Sequence, residues 1–318
     1  MKNKTVKILL SAILILISYG FIIYKLTQFE ELKRIDLNSI LFHNENLIFF
    51  LLAISLMPIN WGFETIKWKK LIQSVQDLSF FYCYQAVFSS ITMGIFTPNR
   101  IGEIGGRILF IEKGKRTYAL LATSLGSFAQ LITTIMAGLV GFIFLLTLYP
   151  GTIHMSIIFH RIFAVIIILL LFALFWLYLN SKTIQPFLLK FSFFKSRENQ
   201  IDYFSNTKPP LLILVIALSM LRYLIFFVQF YLFLYFFEVH LTVIEAFMSI
   251  SLIYLFATLM PTTTLIELGI RGSLAIFFIG LFSYNYVGIV LSTIFLWIIN
   301  LAIPAIIGSI FFVKKSIV

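Results

Sequence analysis

Apolar runs of spanning length recur along this chain, and the places where they break off say as much as the runs. Six stretches read as full membrane helices: 8–26, 47–66, 118–148, 162–180, 210–237 and 286–313. A helix needs about 20 mostly apolar residues to cross the hydrocarbon core of a bilayer. Two further regions, 80–111 and 244–283, are apolar but interrupted. The first is broken by TPNRIGEIGGR, from Thr97 to Arg107, and the second by PTTTLIELGIR, from Pro261 to Arg271. Both breaks run from a proline through a short polar stretch to Glu-x-Gly-x-Arg.

Composition agrees with the pattern. Of 318 residues, 60% are hydrophobic and only 12% charged, where a soluble domain carries about 25% charge. The longest polar stretch, 181–208, is too short for a soluble domain. One transmembrane domain, 1–318, therefore accounts for the chain. The formal charge of +11 would suit nucleic acid, but the Lys and Arg residues lie in short loops between apolar segments, so no nucleic-acid partner is expected. Cys83 is the single cysteine, which excludes a disulfide framework. The run from Ile8 to Leu26 is long for a signal peptide and reads as a retained first helix.

Positive charge sets the orientation. Sixteen of the 24 Lys and Arg lie at the N-terminus, in the loops 67–70, 113–116 and 182–208, and at Lys314 and Lys315, which places both termini in the cytoplasm of a cell (inner) membrane. Lys67–Lys70 and Lys113–Arg116 share a side only if 80–111 enters the membrane and returns. The same parity holds for 244–283 on the opposite side. Both regions read as re-entrant or broken hairpins turning at Pro98 and Pro261. The order span, span, hairpin, span then occurs twice, in half A (about 1–150) and half B (about 160–318), with inverted topology. The expected fold is an all-α integral membrane protein with six full spans and two such hairpins.

Six charged residues fall at membrane depth: Arg100, Glu103, Arg107, Arg222, Glu267 and Arg271. Unpaired and facing lipid, they would together cost on the order of 15 kcal/mol. Glu103–Arg107 and Glu267–Arg271 have the favourable i,i+4 spacing with Glu first, so each is expected to pair on one helix face. In the plainest reading each pair neutralises itself and braces its hairpin. Four arginines against two glutamates nevertheless leave an excess of two positive charges, and Arg222 needs a partner from another helix, with Glu103 or Glu267 as candidates. Arginine forks suit phosphate and carboxylate oxygens. These six residues are therefore the candidate substrate-binding set, around a central water-accessible cavity. Gly102, Gly105, Gly106 and Gly269, with the two prolines, are the candidate hinge positions, where small residues permit close backbone approach.

Other polar residues read more simply. Gln130 and Asn300, within two other spans, suit interhelical hydrogen bonds. His43, His154, His160 and His240 map to outer loops or their edges without metal-ligand spacing. The stretch from Thr183 to Lys195 suits a basic interfacial helix. No catalytic residue, cofactor site or metal-ligand set is indicated.

Three stretches resemble one known family. IFTPNRIGEIGGRILFIEKGK, MPTTTLIELGIRGSLAIFFI and the basic, Trp-containing IKWKKLI from Ile66 to Ile72 are similar to hallmarks of the flippase-like transmembrane domain of lysylphosphatidylglycerol synthases. The resemblance covers nearly the whole chain, without an aminoacyl-transferase domain. It implies translocation of a membrane lipid, or service to a lipid-linked glycan pathway beside a partner glycosyltransferase or lipid synthase. The expected substrate is an anionic or polyprenyl-phosphate-linked lipid in the bilayer. The alternatives are a membrane-embedded glycosyltransferase and an accessory subunit. The three aspartates, Asp36, Asp77 and Asp202, form no paired metal-binding motif for a glycosyltransferase.

Overall fold

The computed structural model of the protein describes residues 47–95, 97, 100–149, 157–180, 207–260 and 264–317. The expected first span at 8–26, the interfacial helix at 183–195, and Pro98 and Pro261 lie outside the described residues. The described residues form helices joined by turns and short loops, with no strand among them. Its elements are α1 (Leu47–Ile72), α2 (Phe80–Ile95), α3 (Gly102–Ile108), α4 (Arg116–Leu148), α5 (Ile157–Leu179), α6 (Pro209–Phe236), α7 (Val243–Leu259), α8 (Thr264–Ile279), α9 (Tyr286–Trp297) and α10 (Ile303–Ile317). A 3-10 turn at Lys113–Lys115 precedes α4, and a π-helical turn at Ile298–Ala302 joins α9 to α10. Five helical stretches are long and apolar enough to cross a membrane: Leu47–Ile72, Lys113–Leu148, Arg161–Leu179, Pro209–Phe236 and Tyr286–Phe311. The protein is a multi-pass membrane protein.

Between the spans lie shorter helices. The 16 residues of α2 and the 17 of α7 extend only about 24–26 Å at 1.5 Å per residue, less than the roughly 30 Å hydrocarbon core. α3 has 7 residues, so the first hairpin has one long arm and one short one. Local chemistry closes its turn. The Thr97 hydroxyl accepts from the Gly102 amide at 2.7 Å and donates to the Gly94 carbonyl at 3.1 Å. Between them Arg100 sits in the left-handed region at φ 56°, a conformation costing about 1 kcal/mol or more for a residue with a β-carbon. The second hairpin begins with a capping box, in which Thr242 and Glu245 satisfy each other's backbone amides.

Small residues bring the elements together. A β-carbon on Gly102 would lie 2.3 Å from the Met93 carbonyl oxygen, and one on Gly106 2.5 Å from the Ser90 α-carbon, so both glycines let α3 lie directly on α2. Gly105 differs from expectation: it faces open space, because it lies on the side of α3 turned away from α2. The first arm of each hairpin packs against a helix distant from it in sequence. α2 meets α10 at Gly308, while α7 meets α4 at Gly138 and Gly141. α1 and α6 pack along each other and exchange a hydrogen bond from Gln229 to the Ala53 carbonyl at 2.9 Å.

The buried apolar side chains form two clusters. One gathers Phe230, Phe233, Phe236 and Ile289 with α7 and α8; the other gathers Trp68, Phe88, Ile91, Ala119 and Leu212. In α6 the stretch between them is Ser219 to Phe226, with Ser219 and Arg222 buried, and the buried Asn60, Glu64 and Lys67 of α1 bond to those two residues. Charged and polar side chains occupy that middle band.

Candidate functional site

In the middle band a cavity of about 370 Å³ opens between the hairpins, α1, α4, α6 and the π-helical turn. All six charged residues singled out in the sequence line it: Arg100, Glu103 and Arg107 from the first hairpin, Arg222 from α6, and Glu267 and Arg271 from the second. Residues up to 171 positions apart in sequence thus share one space. Glu64 and Lys67 of α1 line it as well.

The pairing differs from expectation in three places. Glu103 pairs with Arg100, at 2.8 Å, and not with Arg107. Arg107 instead donates from Nη1 to Glu64 Oε1 at 2.7 Å and from Nε to the Ser90 hydroxyl at 3.3 Å. Arg222 pairs with Glu64, not with Glu103 or Glu267. Its Nε donates to Asn60 Oδ1 at 3.0 Å and its Nη1 also reaches Gln130 Oε1 at 3.3 Å. The expected Glu267–Arg271 pair is present at 2.5 Å. The physical reason lies in reach. α3 lies directly on α2, and Arg107 is buried against α1, where the Glu64 carboxylate lies 2.7 Å from its Nη1.

Glu64 and Lys67 are the residues that sequence reasoning missed. The hydropathy pattern ends the second span, 47–66, at residue 66, which puts Lys67 in a cytoplasmic loop. In the structure α1 continues to Ile72, and the Lys67 side chain is 1% exposed, bonding Glu64 Oε2 at 2.7 Å and the Ser219 hydroxyl at 3.4 Å. A signal was available: Glu64 is a carboxylate inside the span 47–66, three residues before a lysine. Trp68 follows, donating to Thr123 at 2.9 Å and tying this turn of α1 to α4.

Glu64 therefore holds three cations from three elements. Arg222 also lies over the Trp61 ring, 5.2 Å from its centroid, and Arg271 lies 5.3 Å from that of Tyr254. Five cations line the cavity against three carboxylates, so the excess of two positive charges persists after Glu64 and Lys67 are included. Several buried polar atoms of the wall have no hydrogen-bond partner among the described residues. They include Arg100 Nη2, Arg271 Nε, Trp61 Nε1, Trp297 Nε1, the Tyr254 hydroxyl and Asn300 Oδ1. Asn300 sits in the π-helical turn, a local break that such helices often carry at functional sites. Gln130 makes the interhelical contacts expected of it, donating to the Ser219 carbonyl at 3.4 Å as well as accepting from Arg222. Asn300 instead donates within its own helix, to the Leu296 carbonyl at 3.2 Å.

The family model for the lysylphosphatidylglycerol synthase TM region matches residues 5–308. The chain belongs to this family. No curated protein and no solved structure matches it. Within the lysylphosphatidylglycerol synthase TM region family the chain is a membrane protein whose role concerns membrane lipid, and its charged cavity lies inside the matched residues.

Proposed function

We propose that the protein is a flippase-like transporter that carries an anionic, phosphate-bearing lipid head group through the central cavity. The observation that carries this reading is the convergence of both hairpins on one space with a formal excess of two positive charges. Buried charge is costly and is retained in membrane proteins chiefly along substrate or ion paths. The packing favours an inverted repeat: exchanging the halves turns the α2–α10 contact into α7–α4 and the α1–α4 contact into α6–α9. Such repeats rock around a site at their interface. Both termini are cytoplasmic in this reading, as the basic loops require. Arg100, Glu103, Arg107, Arg222, Glu267 and Arg271 bind the head group, and the Glu–Arg pairs exchange partners as the halves move.

Reconstitution in liposomes tests it. Arg107→Ala and Arg271→Ala are each expected to abolish movement of labelled anionic lipid between leaflets; undiminished movement in both sinks the transporter. In a Cys83→Ser background, Ser127→Cys and Thr258→Cys, both on the cavity wall, are expected to react with aqueous thiol reagents. Full protection at both sites would show a dry cavity.

A further inference from the structure

The cavity's excess charge is unevenly placed. Arg100–Glu103 and Arg271–Glu267 are each neutral. Lys67, Arg107 and Arg222 share the one carboxylate of Glu64, so the whole surplus of two positive charges sits on that cluster. The cluster is also the deeper site. Its four side chains are 1–8% exposed, against 14–30% for the two hairpin pairs. Three cations crowded around one carboxylate in a low dielectric repel one another, and replacing such groups with apolar ones is often stabilising. Bracing α1 against α6 would need only one of them.

Donors outnumber acceptors here too. Among the described residues neither Arg107 nor Arg222 donates a hydrogen bond from Nη2. Asn60 Nδ2 and Trp61 Nε1, on residues that touch Arg222, are buried without partners. A group with two negative charges and several acceptor oxygens answers both surpluses at once.

We propose that Lys67, Arg107 and Arg222 form a seat for a dianionic phosphate, a phosphomonoester or a diphosphate, with the Glu64 carboxylate competing for the same donors. The proposal deepens the transporter reading, on which it rests for the source of the anion, by assigning the head group's charge to this cluster. A dianion cancels the surplus, whereas a phosphodiester leaves one positive charge uncompensated. The hairpin pairs, already neutral, then contact the rest of the head group. Because each cation comes from a different element (α1, α3 and α6), filling the seat bears on the junction of the first hairpin with both halves.

The experiment is a calorimetric titration of the full chain in nanodiscs with methyl phosphate, dimethyl phosphate and inorganic diphosphate near neutral pH. The monoester and the diphosphate are expected to bind at least about tenfold more tightly than the diester, since charge-assisted bidentate contacts dominate. Glu64→Gln is expected to tighten monoester binding by about tenfold, removing a competitor while keeping an acceptor. That gain cannot come from misfolding. Arg107→Lys and Arg222→Lys are expected to weaken binding by about tenfold each, because lysine lacks the fork. Glu112→Gln, at an exposed pair with Lys115, controls for net charge and leaves the affinity as it was.

Equal affinity for monoester and diester, or a Glu64→Gln protein that binds no more tightly, overturns the seat. Polyprenyl phosphate in the nanodisc displaces methyl phosphate if the occupant is a lipid head group and spares it if the occupant is a free anion. Loss of lipid movement beside intact phosphate binding would remove the transporter reading alone; lipid movement without charge-selective binding would remove the seat alone.

Discussion

In the hairpin of α7 and α8, Glu267 bonds Arg271 four residues on, within its own helix. In the hairpin of α2 and α3, with the same Glu-x-Gly-x-Arg spacing, Glu103 turns back to Arg100 and Arg107 reaches out to Glu64. Local spacing makes the i,i+4 pair available in both cases. What differs is the neighbour. Among the described residues no further carboxylate pairs with Arg271, and its pair stays local and part-exposed. The first presses α3 onto α2 through Gly102 and Gly106, which turns Arg107 toward a buried carboxylate on α1. A repeated motif therefore fixes which pairings are possible, and the surrounding packing chooses among them.

The largest test of this contrast removes the shared carboxylate. Glu64→Ala leaves three cations with no anion and is expected to cost about 3–5 kcal/mol, as for breaking a buried pair. Denaturant unfolding in detergent would read it, and a loss below about 1 kcal/mol would mean the cluster is hydrated and weak. Next come the two arginines at equivalent places. Arg107→Gln is expected to destabilise by about 2 kcal/mol, because Lys67 and Arg222 still hold Glu64. Arg271→Gln should cost less than about 1 kcal/mol, its pair being more exposed. Equal losses would erase the distinction between the hairpins.

Smaller effects concern the turn itself. Gly102→Ala drives a methyl group into the Met93 carbonyl at 2.3 Å and is expected to cost about 1–3 kcal/mol, read as a lower Tm. Gly105→Ala meets open space and is expected to raise stability by about 0.5 kcal/mol through helix propensity alone. Reversal of that order would mean that α3 does not lie on α2 as described.

Much of the site could be read from the sequence because charge at membrane depth is rare and stands out. Arg222 in the middle of an apolar run announced a partner, and the two interrupted hairpins announced a place where backbone and charge are sheltered. The pairing itself was not readable. Arg222 and Glu64 are 158 residues apart, and nothing local says that α1 and α6 lie side by side. Glu64 does not stand out because the run 47–66 has the length of a complete span and Lys67 opens a basic stretch. A helix ends where its backbone partners end, not where its hydropathy falls, and α1 continued for another turn and a half.

The amino-acid sequence alone determined that this chain is a bundle of membrane helices. Without water in the hydrocarbon core, every backbone group must bond within its own helix, so long apolar runs have one viable form. It also determined which residues would be costly in lipid and so would need shelter. Tertiary structure decided who shelters whom. Coulombic attraction and hydrogen bonding act over a few ångströms between groups carried by different helices, and only packing brought Lys67, Arg107 and Arg222 around Glu64 while leaving Glu267 and Arg271 to each other.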